Sequence, residues 1–174
     1  SKLYASDAAA NDIGNQFGIS VSLYGNTALI GAIYSSQSNA GSVYAFTRSS
    51  ADGPFTEQSK FKPNDGAEND NFGVSVSLYG DTALIGAHND DDNGASASGS
   101  VYVFTRSSAD GPFTQQSKIH ASDGATSDTF GVSVSLYGDT ALIGAHGSYA
   151  SGSSSSGYVY VFTRSSSDGT FTQQ

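Results

Sequence analysis

The feature that most constrains this chain is its internal repetition. Phe72 to His88 reads FGVSVSLYGDTALIGAH, and Phe130 to His146 reads the same. Phe17 to Ala32 (FGISVSLYGNTALIGA) differs from them at two positions. Downstream, GSVYAFTRSSADGPFTEQSK, GSVYVFTRSSADGPFTQQSK and GYVYVFTRSSSDGTFTQQ align in turn. Self-similarity at this scale means one small structural unit that stacks on its neighbours. Ser-Lys opens units at Ser1, Ser59 and Ser117, giving three 58-residue repeats at 1–58, 59–116 and 117–174. The first has three extra residues before its Phe-Gly and three fewer in a later loop. Segments that tolerate such length changes are surface loops.

Each unit reads as four strands. In the second, Gly73 to Tyr79 alternates, with Val74, Val76 and Leu78 on one side and Ser75, Ser77 and Tyr79 on the other. Gly80-Asp81 is a two-residue hairpin turn, and Thr82 to His88 is the second strand. A polar loop from Asn89 to Gly99 leads to a third strand, Ser100 to Arg106. Asp110-Gly111 marks another turn before a fourth strand, Phe113 to Ile119. The third strand is apolar on both faces, so it must lie between two layers. Four-stranded antiparallel units covered on both faces are the blades of a β-propeller. The fold expected is therefore all-β, with the unit boundaries falling inside the fourth strand (Gln115-Gln116-Ser117-Lys118). Propellers close with 4–8 blades. Three units thus read as part of a longer array, or of an assembly in which another copy completes the strand.

Composition narrows the function classes. Apolar residues are 37% of the chain, with 21 Gly and abundant Ser, which suits short strands and tight turns better than helices. Seven Lys and Arg against 16 Asp and Glu give a net charge of −9, which argues against nucleic acid as a partner. There is no Cys, so no disulfide, Cys-ligated zinc or Cys nucleophile can form. There is no Met either, and the sequence reads as a mature piece or an excerpt. No apolar run approaches the length of a spanning helix. Neither a Gly-x-Ser-x-Gly elbow nor a phosphate-binding glycine loop appears.

The Phe-Gly pairs (Phe17-Gly18, Phe72-Gly73, Phe130-Gly131) precede Gly-Ala pairs (Gly31-Ala32, Gly86-Ala87, Gly144-Ala145), 14 residues from Phe to Gly each time. With the continuation GSVYVF, the whole chain resembles the FG-GAP repeat family, best known from integrin alpha-subunit propellers, and within it the branch of bacterial and algal surface proteins. The resemblance implies a propeller, an extracellular or cell-surface location, and a role in adhesion or protein contact without catalysis. Two departures stand out. Ile33, His88 and His146 replace the Pro of the family's Gly-Ala-Pro. The calcium loop of integrin-type repeats is reduced to Gly25-Asn26, Gly80-Asp81 and Gly138-Asp139, too short to wrap a cation that takes six to eight oxygens.

Several residues are candidates for binding. Asp90, Asp91, Asp92 and Asn93 form an acidic loop that could hold Ca²⁺, against a plain reading as a solvated turn. The other units carry Ser-rich loops there, at 34–40 and 147–156. Asp7/Asp12, Asp65/Asp70 and Asp123/Asp128 recur five residues apart, as turn formers or as paired carboxylates. Three near-equal copies argue against a hydrolase, which needs one pair. His88 and His146 share a position with Ile33, which speaks against catalysis there. Tyr24, Tyr79 and Tyr137 close the first strands beside turns and are the aromatics suited to sugars or protein partners. Arg48, Arg106 and Arg164 stand four residues before Asp52, Asp110 and Asp168, a spacing that predicts hairpin-bracing ion pairs.

The function expected is non-enzymatic. It is a structural or adhesive repeat protein of the cell surface or extracellular space, joining other protein chains or copies of itself. The alternative is a module that binds glycans or proteins through its variable Ser-rich and acidic loops.

Overall fold

The computed structural model describes residues 1–7, 15–34, 40–91, 94–147, 157–166 and 169–174. All its regular structure is β. The first sheet holds β1 (Val21–Tyr24), β2 (Thr27–Ala32), β3 (Ser42–Thr47) and β4 (Thr56–Phe61). The second holds β5 (Ser75–Tyr79), β6 (Thr82–Ala87), β7 (Ser100–Thr105) and β8 (Thr114–Ile119). The third holds β9 (Ser133–Tyr137), β10 (Thr140–Ala145), β11 (Tyr158–Thr163) and β12 (Thr172–Gln173). In each, the strands lie side by side in chain order and run antiparallel. These are propeller-like blades, and their first strands β1, β5 and β9 neighbour one another across the stack. The repeat junctions 58/59 and 116/117 fall inside β4 and β8.

The hairpins are set by local chemistry. Tyr24 pairs with Thr27 and Tyr79 with Thr82, leaving Gly25-Asn26 and Gly80-Asp81 as two-residue turns. Gly25, Gly80 and Gly138 open these turns at φ near +57 to +59°, where a side chain is strained. In β4 and β8 the register slips by one residue opposite Ala45/Phe46 and Val103/Phe104, a bulge that leaves Gln58 and Gln116 without a partner across the sheet.

The core lies between blades. Leu29, Val43, Ala45 and Phe61 of the first blade pack with Val76, Leu78, Ile85 and Phe104 of the second. Leu84, Val101, Val103 and Ile119 of the second pack in the same way with Leu136, Ile143, Phe162 and Phe171 of the third. Burying one such side chain contributes about 1.5–3 kcal/mol, and a lone blade has nothing to bury it against. The serine side of β1 faces forward and the valine–leucine side of β5 faces back. Ser22 Oγ accepts from Leu78 N at 3.0 Å, and Ser77 Oγ accepts from Leu136 N at 2.9 Å.

The two signature dipeptides form the joint. Within the second blade, Gly73 N–H donates to Gly86 O at 2.9 Å. Gly73 O turns toward the first blade, where Ser20 Oγ donates to it at 2.7 Å. Gly131 O receives Ser75 Oγ at the same distance. A Cβ on Gly31 would sit 2.0 Å from Gly73 O, and one on Gly86 would sit 1.9 Å from Gly131 O. Only glycine admits this approach. Gly144 occupies the same position in the third blade, but there a Cβ would meet only the Ser133 side chain at close range.

These distances predict an asymmetry. Gly86→Ala should lower stability by about 1–3 kcal/mol, because backbone must shift to admit the methyl group. Gly144→Ala should cost less than about 1 kcal/mol, since a serine hydroxyl can rotate away. Urea midpoints of the two variants measure the difference, and equal losses would contradict the inter-blade joint.

Candidate functional site

The three tyrosines singled out in the sequence come together in one row. Tyr24 and Tyr79 have ring centroids 5.1 Å apart, and Tyr79 and Tyr137 are likewise 5.1 Å apart. Each closes the first strand of its blade, so the stacking of blades lines them up. Tilted and edge-to-face contacts at this distance are favourable beyond simple burial. Tyr24 and Tyr137 remain exposed at the two ends of the row.

A cavity of about 490 Å³ opens beside the row between the second and third blades. Tyr79, Asp81, Thr82, Arg106, Asp139 and Arg164 line it. Arg48 and Arg106 are not paired as their spacing suggested. Arg106 follows β7 opposite the Gly80-Asp81 turn, with its N–H on Asp81 O at 3.0 Å. Its Nε therefore meets the Asp81 carboxylate at 2.8 Å and not Asp110. Its Nη1 reaches Thr27 Oγ1 of the preceding blade at 2.9 Å, and its guanidinium lies over the Phe113 ring. Arg164 repeats this with Asp139, Thr82 and Phe171. Arg48 takes Asn26 and Ala51 O in place of Asp52. Asp168 lies outside the described residues. The expected local pair is thus a brace that reaches across two blades, for which the sequence carried no spacing signal.

The acidic loop behaves differently. Asp90 is buried, and Ser100 Oγ (2.6 Å), Tyr102 OH (3.1 Å) and Lys118 Nζ (2.8 Å) all bond to its carboxylate. Asp91 accepts from Ala97 N at 2.7 Å. Asp92 and Asn93 lie outside the described residues. Among the described residues no three His, Asp or Glu side chains converge to hold a metal ion. The oxygens a calcium ion would need on Asp90 face donors of the chain itself. Ser42, the counterpart of Ser100 in the first blade, has a buried hydroxyl without a partner among the described residues.

The recurring acidic pairs divide their work. Asp65 bonds Lys118 at 3.1 Å and Asp7 bonds Lys60 at 2.7 Å. Lys60 holds the Asp7 carboxyl below its ordinary range, and Tyr44 OH assists at 2.8 Å. Burial works against Asp65, but Lys118 outweighs it and its value falls too. Asp70 and Asp128 instead close turns, accepting from Ala67 N at 2.6 Å and Ala125 N at 2.7 Å. Burial raises Asp70, and the nearby Asp90 and Asp91 carboxylates add to the rise. Asp12 lies outside the described residues. In the second blade Asp65 and Asp70 line another cavity of about 520 Å³, with Glu68, Asp90, Asp91 and Lys118 among others.

His88 is half-buried, its Nδ1 has no partner among the described residues, and burial together with His146 pushes its pKa down. His146 keeps Thr129 Oγ1 and Gly147 O within 3.2 Å.

This architecture agrees with the comparison to known proteins. The sequence profile of the FG-GAP repeat matches residues 1–46, 55–104 and 113–162. The chain belongs to the FG-GAP repeat family. Each later match begins near the fourth strand of one blade and ends in the third strand of the next, so the sequence repeat of this FG-GAP protein straddles two sheets. No curated protein matches the chain. Among solved structures, Sqt1 of Saccharomyces cerevisiae superposes with a TM-score of 0.52 at 15% identity, over 93% of this chain and 35% of that one. That likeness concerns the fold, and the chain spans about a third of the matched structure. No helix among the described residues is long and apolar enough to cross a membrane.

Two outcomes follow. A lowered histidine pKa means the unfolded chain takes up the proton first, so His88 destabilises the fold as pH falls below about 6.5. His88→Ile, which copies Ile33, should flatten the loss of thermal stability between pH 7 and 5 relative to wild type. An unchanged slope would show that His88 does not titrate there. Asp90→Ala leaves the Ser100 and Tyr102 hydroxyls without this acceptor and Lys118 with Asp65, and should cost about 1–3 kcal/mol in urea unfolding.

Proposed function

We propose that this chain is a non-enzymatic structural or adhesive module of the extracellular space or cell surface, working through contact with other proteins. The row Tyr24–Tyr79–Tyr137 carries this reading. It is an aromatic strip built by the blade stack itself, and tyrosine is enriched where proteins anchor to one another. Membership of the FG-GAP repeat family supports it, because propellers of this family serve protein contact and are typical of extracellular and surface proteins. The residues that could do chemistry support it too. The His position is Ile33 in the first blade, and the Asp65 and Asp90 carboxylates are spent on Lys118.

The cavity beside Tyr79 favours a second reading, glycan binding. Its volume lies within the roughly 300–1,000 Å³ usual for small ligands. An aromatic ring flanked by carboxylate and guanidinium groups suits the apolar face and hydroxyl rim of a sugar.

Beads coated with the chain distinguish the readings. They should attach to surfaces coated with extracellular-matrix proteins, and replacing Tyr24, Tyr79 and Tyr137 together by Ala should cut attachment about tenfold or more. Attachment only to immobilised polysaccharide would select the glycan reading, and attachment to neither would overturn both. Melting with and without millimolar calcium tests the Asp90–Asn93 loop. The reading needs no cofactor, so no shift is expected.

A further inference from the structure

We infer that the two outer faces of the blade stack dock on each other, the third blade of one copy seating against the first blade of a second copy. This rests on the protein-contact reading above and names the partner.

The same side chains are buried where a neighbouring blade is present and exposed where it is not. Val21 and Leu23 are 70% and 61% exposed, whereas their equivalents Val76 and Leu78 are 8% and 5% exposed against the first blade. At the other end Val159 is 68% exposed, while Val43 and Val101 are fully buried. Leu142 and Val161 are exposed in the same way, against buried Leu29, Leu84, Ala45 and Val103. The two faces are therefore the two halves of an interface that the chain already makes twice.

The polar contacts have counterparts as well. Ser20 and Ser75 donate to the glycine carbonyl of the next blade. Ser133 holds that place on the third blade and is exposed, and Gly18 supplies the matching carbonyl on the first. Arg106 and Arg164 reach back to Thr27 and Thr82, so Arg48 of a second copy would reach Thr140. Ser1-Lys2-Leu3 repeats Ser117-Lys118-Ile119, which lies on β8 of the second blade. Seated on β11 of another copy, Lys2 would meet Asp123, as Lys118 meets Asp65 and Lys60 meets Asp7. Shape, apolar area and charge thus agree on one occupant. Two copies joined at both faces place six blades about one axis, within the range of 4–8 that closed propellers use.

Light scattering of the purified chain over a dilution series tests this. The expected mass is at least twice the 17.8 kDa of one chain. A monomer throughout would overturn the proposal. Val159→Glu and Leu23→Glu each place a charge on one face, and each should weaken association about a hundredfold or more. Both sites are exposed in the single chain, and circular dichroism checks that each variant stays folded. Mixing the two variants should restore a one-to-one pair through the remaining good interface. If either variant stays associated alone, or the mixture fails to pair, head-to-tail docking is wrong. The double variant, with its tyrosines intact, is then used in the bead assay. Its attachment to protein surfaces separates failure of self-docking from failure of the protein-contact reading.

Discussion

The whole arrangement depends on one close approach, a glycine carbonyl of one blade laid against a glycine of the blade before it. Gly73 O sits where a Cβ of Gly31 would be and takes the Ser20 hydroxyl as its donor. The same Gly73 gives its N–H to Gly86 O within its own blade. Gly86 in turn leaves room for Gly131 O. Gly73 and Gly86 therefore each serve two contacts, one inside the blade and one toward a neighbour. A bulkier residue at either place would hold the blades apart and open the apolar layer behind them. The constant 14-residue separation of Phe-Gly from Gly-Ala has this cause. It is the length of the first hairpin, which must bring both dipeptides to the same end of the sheet.

Packing follows from that joint. Because the blades meet so closely, valine and leucine of one first strand fill the space left by the serines of the previous one. This is how a chain with only 37% apolar residues can still bury large layers. The small polar residues do more than solvate the surface. Ser20, Ser22, Ser75 and Ser77 satisfy buried backbone groups that the close approach would otherwise strand.

Much of this was legible in the sequence. The repeat, the alternation from Val74 to Tyr79 and the Gly80-Asp81 turn are local signals, and they placed the strands within a residue or two. The doubly apolar third strand indicated a sheet covered on both faces, as the second sheet is between its neighbours. What was not legible depended on distance across the stack. Asp110 stands close to Arg106 in sequence, but the β6–β7 register sets Arg106 beside Asp81. Asp90 read as a loop acid, and its burial follows from Tyr102 and Lys118, which approach from two other strands. The tyrosines could be singled out by position, yet only the stacking of blades makes them a row. The forward-facing serines were visible as a repeated pattern and lacked only a reason to be singled out.

A repeat that carries both halves of its own joint has a consequence for assembly. Every stack ends in one face of each kind, and the two faces are complementary by construction. Whether such contacts close into a ring or run on as a filament is set by the rotation from blade to blade. Apolar area alone would tolerate many registers. The polar contacts restrict them, because Arg106 must find the Thr27 hydroxyl and Lys118 must find Asp65 at the same time. These bonds sit at opposite margins of the blade, so together they fix tilt as well as position. Individually each pair is partly exposed and contributes little to stability. Their value lies in excluding the slipped and inverted packings that the repeated valines and leucines would otherwise allow.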